Sequence, residues 1–274
     1  MPETRKDMEN KMDAFVIVCV LYNDSIRNIR SLPQFLSFTE HTGALLAISD
    51  NSKPEIQREN ERLWKAEYRE KIVYRNNGGN IGLSRAYNSA VKSLEQDEAW
   101  ILIADDDTLF SKEYLDRVYE AAREGRTELI SGIVRAGNRV LSPARNNKIF
   151  RSGEDFISEP GIYENIFCIN SGLVIRKSLL DDLGGFDERL FLDMVDYCLM
   201  DRLIAAGRNR FLLVDGDIEQ NFSGDDTAVE KAAAQARFAI YEKDFLNYCK
   251  ITNKSALYRD LTLLKRRLRI RFMK

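Results

Sequence analysis

The fold of this chain is decided by residues 100–107, which read Trp100-Ile101-Leu102-Ile103-Ala104-Asp105-Asp106-Asp107. An apolar run of this kind is typical of a strand buried on both faces of a parallel sheet. The run ends in three carboxylates, and ligands of open α/β sheets bind just beyond the carboxyl ends of the strands. Side chains alternate along a strand, so Asp105 and Asp107 should share one face and Asp106 the other. The triplet predicts either a site for a hard divalent cation or a solvated acidic turn.

Predicted strands and helices alternate on the N-terminal side of this stretch. Three apolar runs are predicted strands, at 14–20, 44–48 and 72–74, and the segments that follow them are predicted helices, at about 24–39, 54–68 and 83–94. Asp24 or Ser25 provides the N-cap of the first helix, and Pro54 suits the first turn of the second. The alternation predicts an α/β fold with a mostly parallel, doubly wound central sheet flanked by helices. Because all four strands end in polar residues, those residues should meet at one edge of the sheet.

On the C-terminal side the pattern is less regular. Further strands are predicted at 128–134, 139–141, 172–175 and 210–214, and helices at 112–123, 177–183 and 193–206. Gly137-Asn138 predicts a hairpin between the first two of these strands, and the weakly periodic residues 143–166 predict a long loop. Two helices, 227–250 and 255–274, are predicted at the end. Five apolar side chains of the last helix fall on one broad face, namely Leu257, Leu261, Leu264, Leu268 and Phe272.

The composition excludes several classes of protein. The chain has 274 residues, 44% of them hydrophobic, and its net charge of −2 argues against a nucleic-acid partner. Its four cysteines are far apart in apolar or helical contexts, which predicts reduced thiols in a cytoplasmic protein. The single histidine, His41, argues against a His-rich metal site and against a Ser-His-Asp mechanism. The charged tail 1–13 has no apolar signal core, and no run reaches the length of a membrane-spanning helix.

Two further motifs allow both a functional and a purely structural interpretation. The loop Gly78-Gly79-Asn80-Ile81-Gly82 precedes a predicted helix, where backbone N–H groups and the helix dipole favour phosphate. A glycine-rich turn without a ligand is equally compatible with it. Asp193 and Asp196 are three residues apart in a predicted helix, so they would share one face. Such a pair could be a general base with its orienting group, or an exposed acidic first turn.

The order of these motifs along the chain carries a family resemblance. They follow one another as Tyr22-Asn23, Asp50-Asn51-Ser52, Asn77 to Gly82 with Ala86 and Asn88, Asp105-Asp106-Asp107, Gly184-Gly185-Phe186-Asp187-Glu188, and Phe191-Leu192-Asp193-Met194-Val195-Asp196. This arrangement resembles the family 2 glycosyltransferases of the GT-A fold, especially bacterial rhamnosyltransferase-like and galactofuranosyltransferase-like members. The resemblance covers about residues 14–224, which we expect to form the glycosyltransferase domain, between the tail 1–13 and a C-terminal helical segment, 225–274.

The resemblance implies an inverting transfer of a sugar from a nucleotide-diphosphate donor, a UDP- or dTDP-sugar, to a hydroxyl of a saccharide acceptor. Together with the basic C-terminal segment, this fits an enzyme of cell-surface polysaccharide assembly whose acceptor is carried on a membrane lipid. The donor would contact a set of strand-end residues, namely Leu21, Tyr22, Asn23, Asp50, Asn51, Arg75, Asn77, Gly79, Asp105 and Asp106. Asp107 would bind Mg²⁺ or Mn²⁺, which bridges the diphosphate and stabilises the charge of the leaving group.

The sequence departs from the family pattern at two positions. Met194 stands where many members carry the Asp that acts as base, which leaves Asp193 as the expected base and Asp196 as the alternative. Gln220 stands where many members carry a metal-binding His, and its carbonyl oxygen could serve a hard cation instead. The same departures support a rival interpretation, a catalytically inactive sugar-nucleotide-binding or scaffolding protein. Another rival, a sugar-1-phosphate nucleotidyltransferase, would carry a Gly-rich loop with Arg and Lys in place of Leu21-Tyr22-Asn23-Asp24.

The C-terminal end of the chain, 265–274, is strongly basic. Beside an apolar helix face, such a cluster predicts attraction of 255–274 to anionic lipid headgroups and a peripheral position on the inner face of the cell membrane. A solvated helix end or a contact within a homodimer is the alternative interpretation.

Overall fold

The computed structural model describes residues 14–94, 99–146, 155–220 and 231–271. The strands in these ranges are β1 (Ala14–Leu21), β2 (Leu45–Asp50), β3 (Val73–Asn76), β4 (Ala99–Asp105), β5 (Thr108–Phe110), β6 (Leu129–Ala136), β7 (Arg139–Ser142), β8 (Ala144–Arg145), β9 (Gly161–Glu164), β10 (Ile166–Phe167), β11 (Val174–Arg176) and β12 (Arg210–Gln220). The α-helices are α1 (Leu32–Thr42), α2 (Pro54–Leu63), α3 (Leu83–Lys92), α4 (Lys112–Glu124), α5 (Lys177–Asp182), α6 (Val195–Ala205), α7 (Lys231–Ile251) and α8 (Ala256–Arg271). The expected tail 1–13 lies outside the described residues.

Ten of the strands form one mixed sheet. Its main path runs in the order β3-β2-β1-β4-β11-β6-β12-β5, with β7 beside β6 and β9 beside β12. On this path β11 and β5 run against the other strands, which share one direction. β8 and β10 pair separately. The prediction of a mostly parallel α/β sheet flanked by helices, with helices at the C-terminus, is confirmed.

The stretch that decides the fold forms β4, and the sheet buries it on both faces. Val18 pairs in register with Ile103, and both lie in a core shared with α3, α6 and α7. Ile17 pairs with Leu102 on the opposite face, in a core shared with α1 and α4. Two cores therefore follow directly from the two-residue period of the strands. Each such buried aliphatic side chain contributes about 1.5–3 kcal/mol of transfer free energy.

The helix predicted over 24–39 is interrupted. Ser25 caps a short 3-10 turn, Ile26–Asn28, by accepting a hydrogen bond from the Arg27 N–H at 3.4 Å. α1 then begins separately, with Pro33 in its first turn. Proline lacks an N–H and is tolerated only where that group has no helical partner, so a continuous helix cannot run through this position.

Other boundaries also differ from the prediction. α2 changes into a π-helical turn at Trp64–Tyr68. The predicted loop 143–166 contains the short strands β8, β9 and β10, although 147–154 lie outside the described residues. β5 was not predicted, and β12 extends well past 214. The hairpin predicted around Gly137-Asn138 is present as β6 and β7.

The predicted helix 193–206 begins later than expected. Met194 has a φ of 64°, in the left-handed region, and α6 starts at Val195. Only Asp196 therefore lies on the helix, while Asp193 belongs to the preceding loop. The prediction that these two acids share one helix face is wrong, because a left-handed residue stands between them.

The cysteines and the helices bear on two expectations from composition. All four cysteines are free and buried, which agrees with the expected reduced thiols. Within the described ranges, no helix is both long and apolar enough to cross a membrane.

We expect Gly82→Ala to destabilise the protein. Gly82 has a φ of 90°, and a Cβ there would lie 2.7 Å from Cδ2 and 2.9 Å from the backbone O of Phe191. Backbone strain and this clash together should cost about 2–4 kcal/mol. Gly78→Ala is the matched control, because Gly78 also has a positive φ, 73°, but has no atom within 4 Å of a Cβ. Urea denaturation measures both variants, and equal losses would contradict a role for the Phe191 contact.

Candidate active site

The parallel strands bring their polar ends to one edge of the sheet. The register pairs Leu21 with Asp50, Val20 with Asp105, and Asp50 with Asn76. The segments that follow β1, β2, β3 and β4 therefore surround a common region. This is the edge at which α/β sheets bind ligands.

Asp105 is the last residue of β4 and is largely enclosed. Its Oδ1 accepts a hydrogen bond from the Tyr87 hydroxyl at 3.0 Å, and Gln220 Nε2 donates to Oδ2 at 3.5 Å. Burial, and then the charge of Asp107, raise the pKa of Asp105 to about 7. The surroundings of Asp105 thus disfavour the ionised form of its carboxyl group.

The next two carboxylates leave the strand. β4 ends at Asp105 and a turn leads into β5, so the predicted alternation of faces does not extend to Asp107. Asp106 accepts a hydrogen bond from the Tyr22 N–H at 2.9 Å, and burial raises its pKa to about 6. Asp107 is the most exposed of the three. Partial burial raises the pKa of Asp107, while the positive charge of Arg30 opposes that shift.

The donor set at this edge suits a hard divalent cation. Asp105, Asp107 and Gln220 offer carboxylate and amide oxygens, which Mg²⁺ and Mn²⁺ prefer. The raised pKa of Asp105 shows that the protein's own groups do not offset the clustered charge. In the part of the chain that the structure describes, no three His, Cys, Asp or Glu side chains are already arranged as a metal site.

The glycine loop 78–82 is braced by Asn51. Asn51 Oδ1 accepts a hydrogen bond from the Ile81 N–H at 2.9 Å, and its Nδ2 donates to Asn80 Oδ1 at 2.9 Å. The first two glycines have φ values of 73° and 132° and open space where a Cβ would stand. The loop leads directly into α3, whose N-terminal end favours an anion.

Arg75 and Asn77 precede this loop at the end of β3. Arg75 is exposed on β3. Asn77 is held more firmly, because its Nδ2 donates to Ser49 Oγ at 2.9 Å and its backbone N–H to the Asp50 carbonyl at 3.2 Å.

Tyr22 and Asn23 form the outer side of the same region. The Tyr22 ring is exposed. Asn23 has a φ of 54°, and its N–H donates to Ser52 Oγ at 2.8 Å while its Oδ1 accepts from the Lys53 N–H at 3.0 Å. The segments after β1 and β2 are therefore tied together.

Leu21 and Asp50 lie deeper than the sequence predicted. The Leu21 side chain is fully buried in the core, so it cannot border a nucleotide base. Asp50 is also fully buried, and its Oδ2 accepts hydrogen bonds from Asn60 Nδ2 at 2.8 Å and the Tyr74 hydroxyl at 2.7 Å. A ligand could reach Asp50 only by displacing these donors. In this structure Asp50 stabilises the strand end that carries Asn51.

The loop 191–193 lies against the glycine loop and is fixed by α7. The Leu83 N–H donates to the Phe191 carbonyl at 2.5 Å. Asp244, fully buried on α7, accepts hydrogen bonds from all three backbone N–H groups of the loop at 2.7–2.9 Å. Amide donors of this kind stabilise a buried carboxylate.

The structure separates the two candidate bases. Both carboxylate oxygens of Asp193 accept hydrogen bonds from Arg237 of α7, one of them from Nη2 at 2.8 Å. Asp196 lies in the first turn of α6. Burial and the charges of Asp107 and Asp106 raise the pKa of Asp105, and the negative charge of Asp196 adds a smaller increase. Asp196 therefore acts electrostatically on the end of β4.

Sequence reasoning missed several residues at this edge. Arg30 lies in a turn before α1 and Tyr87 in α3, between the motif residues Ala86 and Asn88, whereas Arg237 and Asp244 lie on α7, far from the motifs in sequence. Asp244 gave one weak signal, an acid on the same helical face as Tyr241 and Tyr248, because buried acids are rare unless they are paired.

Asp105→Asn should change how the stability of the metal-free protein depends on pH. The pKa of Asp105 is about 7, above that of an ordinary Asp near 4, so the folded state binds the proton more tightly. The stabilisation is fully present below about pH 4 and is lost as the pH rises through about 7. The Asn variant cannot ionise, so it should gain roughly 1–3 kcal/mol over wild type between pH 5 and 8.

Thermal denaturation at pH 5 and pH 8 measures this difference. Asp215→Asn, which replaces an exposed carboxylate, is the control. Identical pH dependence in the wild type and Asp105→Asn would contradict the expectation.

Asp244→Asn should destabilise the protein by about 1–3 kcal/mol, because an amide NH₂ would oppose one of the backbone donors that the carboxylate now accepts. Asp260→Asn is the control, since Asp260 is exposed and pairs only at the surface with Arg259. Urea denaturation distinguishes the two sites. Equal stability of both variants would show that Asp244 does not fix the loop 191–193.

Comparison with known proteins identifies one matching family and several solved structures that share a fold with this chain. The family model for glycosyl transferase family 2 matches residues 24–184. No curated protein matches the sequence. Among solved structures, GalNAc-T7 with UDP, GalNAc and Mn²⁺ is similar with a TM-score of 0.67 and 12% identity, over 92% of this chain and 50% of that chain.

Two further structures are similar. S. aureus TarS 1-349 has a TM-score of 0.54 and 16% identity, over 86% of this chain and 71% of its own. The mannosyltransferase PcManGT from Pyrobaculum calidifontis, in complex with GDP-Man and Mn²⁺, has a TM-score of 0.58 and 14% identity, over 96% and 71%. At such identities the likeness shows the fold, that of the GT-A glycosyltransferases. Because the family model matches more than half of the chain, the protein belongs to glycosyl transferase family 2.

Proposed function

We propose that this glycosyltransferase transfers a sugar from a UDP- or dTDP-sugar to a hydroxyl of a saccharide acceptor, with inversion at the anomeric carbon. The observation that carries the proposal is the convergence of the ends of β1, β2, β3 and β4, with Asp105 and the segments leading to Asp107 and the glycine loop, at one edge of the sheet. The structures of GalNAc-T7 with UDP and Mn²⁺ and of PcManGT with GDP-Man and Mn²⁺ support a nucleotide-sugar donor and a divalent cation.

The donor side is formed by the segments after β1, β3 and β4. In this proposal the nucleotide and diphosphate contact Tyr22, Asn23, Arg75, Asn77, Gly79, Asp105 and Asp106. Asn51 would act indirectly, because its side chain holds the glycine loop that would approach the phosphates. Leu21 and Asp50 have buried side chains, so in this proposal they support the donor side without contacting the donor.

Asp107 is the proposed principal ligand of Mg²⁺ or Mn²⁺, and Gln220 is a proposed further ligand. The ion would neutralise negative charge that builds on the leaving nucleoside diphosphate. Gln220 already lies beside the carboxylates, since its amide donates to Asp105. The positive charge of Arg30 partly opposes the rise in the pKa of Asp107 that burial causes.

We propose Asp196 as the base, with Asp193 as the alternative. The attacking hydroxyl must lose its proton on the side of the sugar opposite the diphosphate. Asp193 can accept that proton only after its contacts with Arg237 open. Asp196 acts on the end of β4, where the donor is proposed to lie. Asp193, held by Arg237 and Asp244, would then shape the acceptor side.

The acceptor is proposed to be a lipid-linked saccharide in cell-surface polysaccharide assembly, at the inner face of the membrane. The supporting observation is the basic, apolar C-terminal helix α8. A homodimer through α8 is the alternative use of this helix.

A binding protein without catalysis is the second candidate function. Met194, at the usual base position, and Gln220, at the usual histidine position, favour it. Calorimetry with UDP, dTDP and GDP, with and without Mn²⁺, measures nucleotide binding in either case. Binding without turnover of any donor would support this candidate over the enzyme.

We expect turnover of one donor in a panel of nucleotide-sugars, followed by mass spectrometry, and loss of that turnover in EDTA. Asp196→Asn should lower kcat by about 100-fold or more while donor affinity changes little, because a general base contributes about that factor. Asp193→Asn is the matched variant, and its effect should be smaller. If Asp193→Asn alone abolishes turnover, the base assignment is wrong, and if both variants keep full activity neither acid is the base.

A further inference from the structure

Four leucines of α8 form an exposed apolar stripe. Leu257, Leu261, Leu264 and Leu268 are 70%, 46%, 52% and 42% exposed. At 100° per residue they fall within a sector of about 60° around the helix axis. Exposed leucines occur singly on most proteins, but an aligned row of four is a contiguous apolar surface that marks an interaction site.

The opposite side of α8 is packed on α7, so the stripe faces away from the protein. Leu263 is buried in the core. The Arg266 guanidinium lies 3.6 Å from the centroid of the Tyr241 ring, and the Tyr258 ring lies 5.9 Å from that of Phe245. The orientation of the stripe is therefore set by tertiary contacts.

Cations border the stripe on both sides. On the helical wheel, Lys265 and Arg269 lie on one side of the leucines and Arg267 and Arg271 on the other, and all four are exposed. α8 as a whole carries six cations and one anion, Asp260, hence a charge of +5, whereas the whole chain carries −2. The positive charge is thus concentrated where the apolar surface is.

We propose that the leucine stripe and its flanking cations, which we call the α8 face, dock onto the surface of an anionic lipid membrane. An interfacial helix inserts its apolar side at the boundary of headgroups and acyl chains and places its cations among the phosphates. Charge favours this occupant over a second copy of the chain. Two α8 faces packed together would enclose four cations from each copy, and only two acids of each copy, Asp260 and Glu242, the latter paired with Arg267, would oppose them.

Docking would also fix the orientation of the candidate active site. α7 packs under α8 and carries Arg237 and Asp244, which hold the loop 191–193. Membrane binding itself does not depend on the proposed function. Only the role of membrane binding, which would bring the acceptor side of the active site close to lipid-linked saccharides, rests on the proposed function.

The test is flotation of the full chain with vesicles of phosphatidylcholine alone or with one third phosphatidylglycerol, in low and high salt. We expect binding to the phosphatidylglycerol vesicles that weakens as salt rises. Lys265→Gln with Arg269→Gln should weaken that binding about 30-fold, since each cation near the surface contributes about a 5-fold factor. Leu261→Ser with Leu264→Ser should weaken it at least about 10-fold at any salt concentration.

Leu45→Ser is the matched control, because Leu45 is a similarly exposed leucine, 41%, at the start of β2. It should leave vesicle binding unchanged, and circular dichroism of all variants excludes misfolding as the cause. The leucine double variant should still turn over a soluble acceptor. Such a result would separate a loss of membrane binding from a failure of the proposed enzymatic function. Failure to bind either kind of vesicle would overturn the proposal. It would also be overturned if the protein did not bind lipid but formed a dimer that the leucine double variant dissociates.

Discussion

The in-register pairing of β1 with β2 on one side and β4 on the other is the constraint on which this molecule depends. It sets Leu21 beside Asp50 and Val20 beside Asp105, so three strands end at nearly the same height. A shift of β1 by one residue would exchange the residues of the two cores, because neighbouring side chains point to opposite faces. The burial of apolar side chains on both faces of the sheet therefore also determines where the polar groups collect.

That arrangement concentrates charge that the fold alone does not stabilise. Asp105 and Asp106 have raised pKa values, near 7 and 6, because they are buried and lie close to other carboxylates. Asp244 is held differently, because its carboxylate accepts hydrogen bonds from three backbone N–H groups. Uncompensated acids are typical of sites that meet a cation or a proton during function. Asp244 and the two acids at the end of β4 thus differ in the number of backbone N–H groups that stabilise them.

The sequence predicted the parts of the fold that depend on local patterns. Apolar runs and their polar ends identified β1, β2 and β4, and glycine marked the turn between β6 and β7. It failed where one residue's backbone conformation decides the outcome. The left-handed Met194 removes Asp193 from α6, and no periodicity signals such a residue. It also could not show that Arg237 pairs with Asp193, since a contact across 44 positions depends on how α7 docks.

The contact between Gly82 and Phe191 has a thermodynamic consequence. The glycine loop and the loop 191–193 touch through backbone atoms, with Leu83 N–H bound to the Phe191 carbonyl. Two segments joined so closely cannot adopt new positions independently. If the glycine loop binds the donor and the loop 191–193 borders the acceptor, as proposed, a ligand that shifts one loop would alter the affinity of the other loop for its own ligand, and linkage makes that coupling reciprocal. The coupling would depend on a single glycine, Gly82, that has no room for a methyl group.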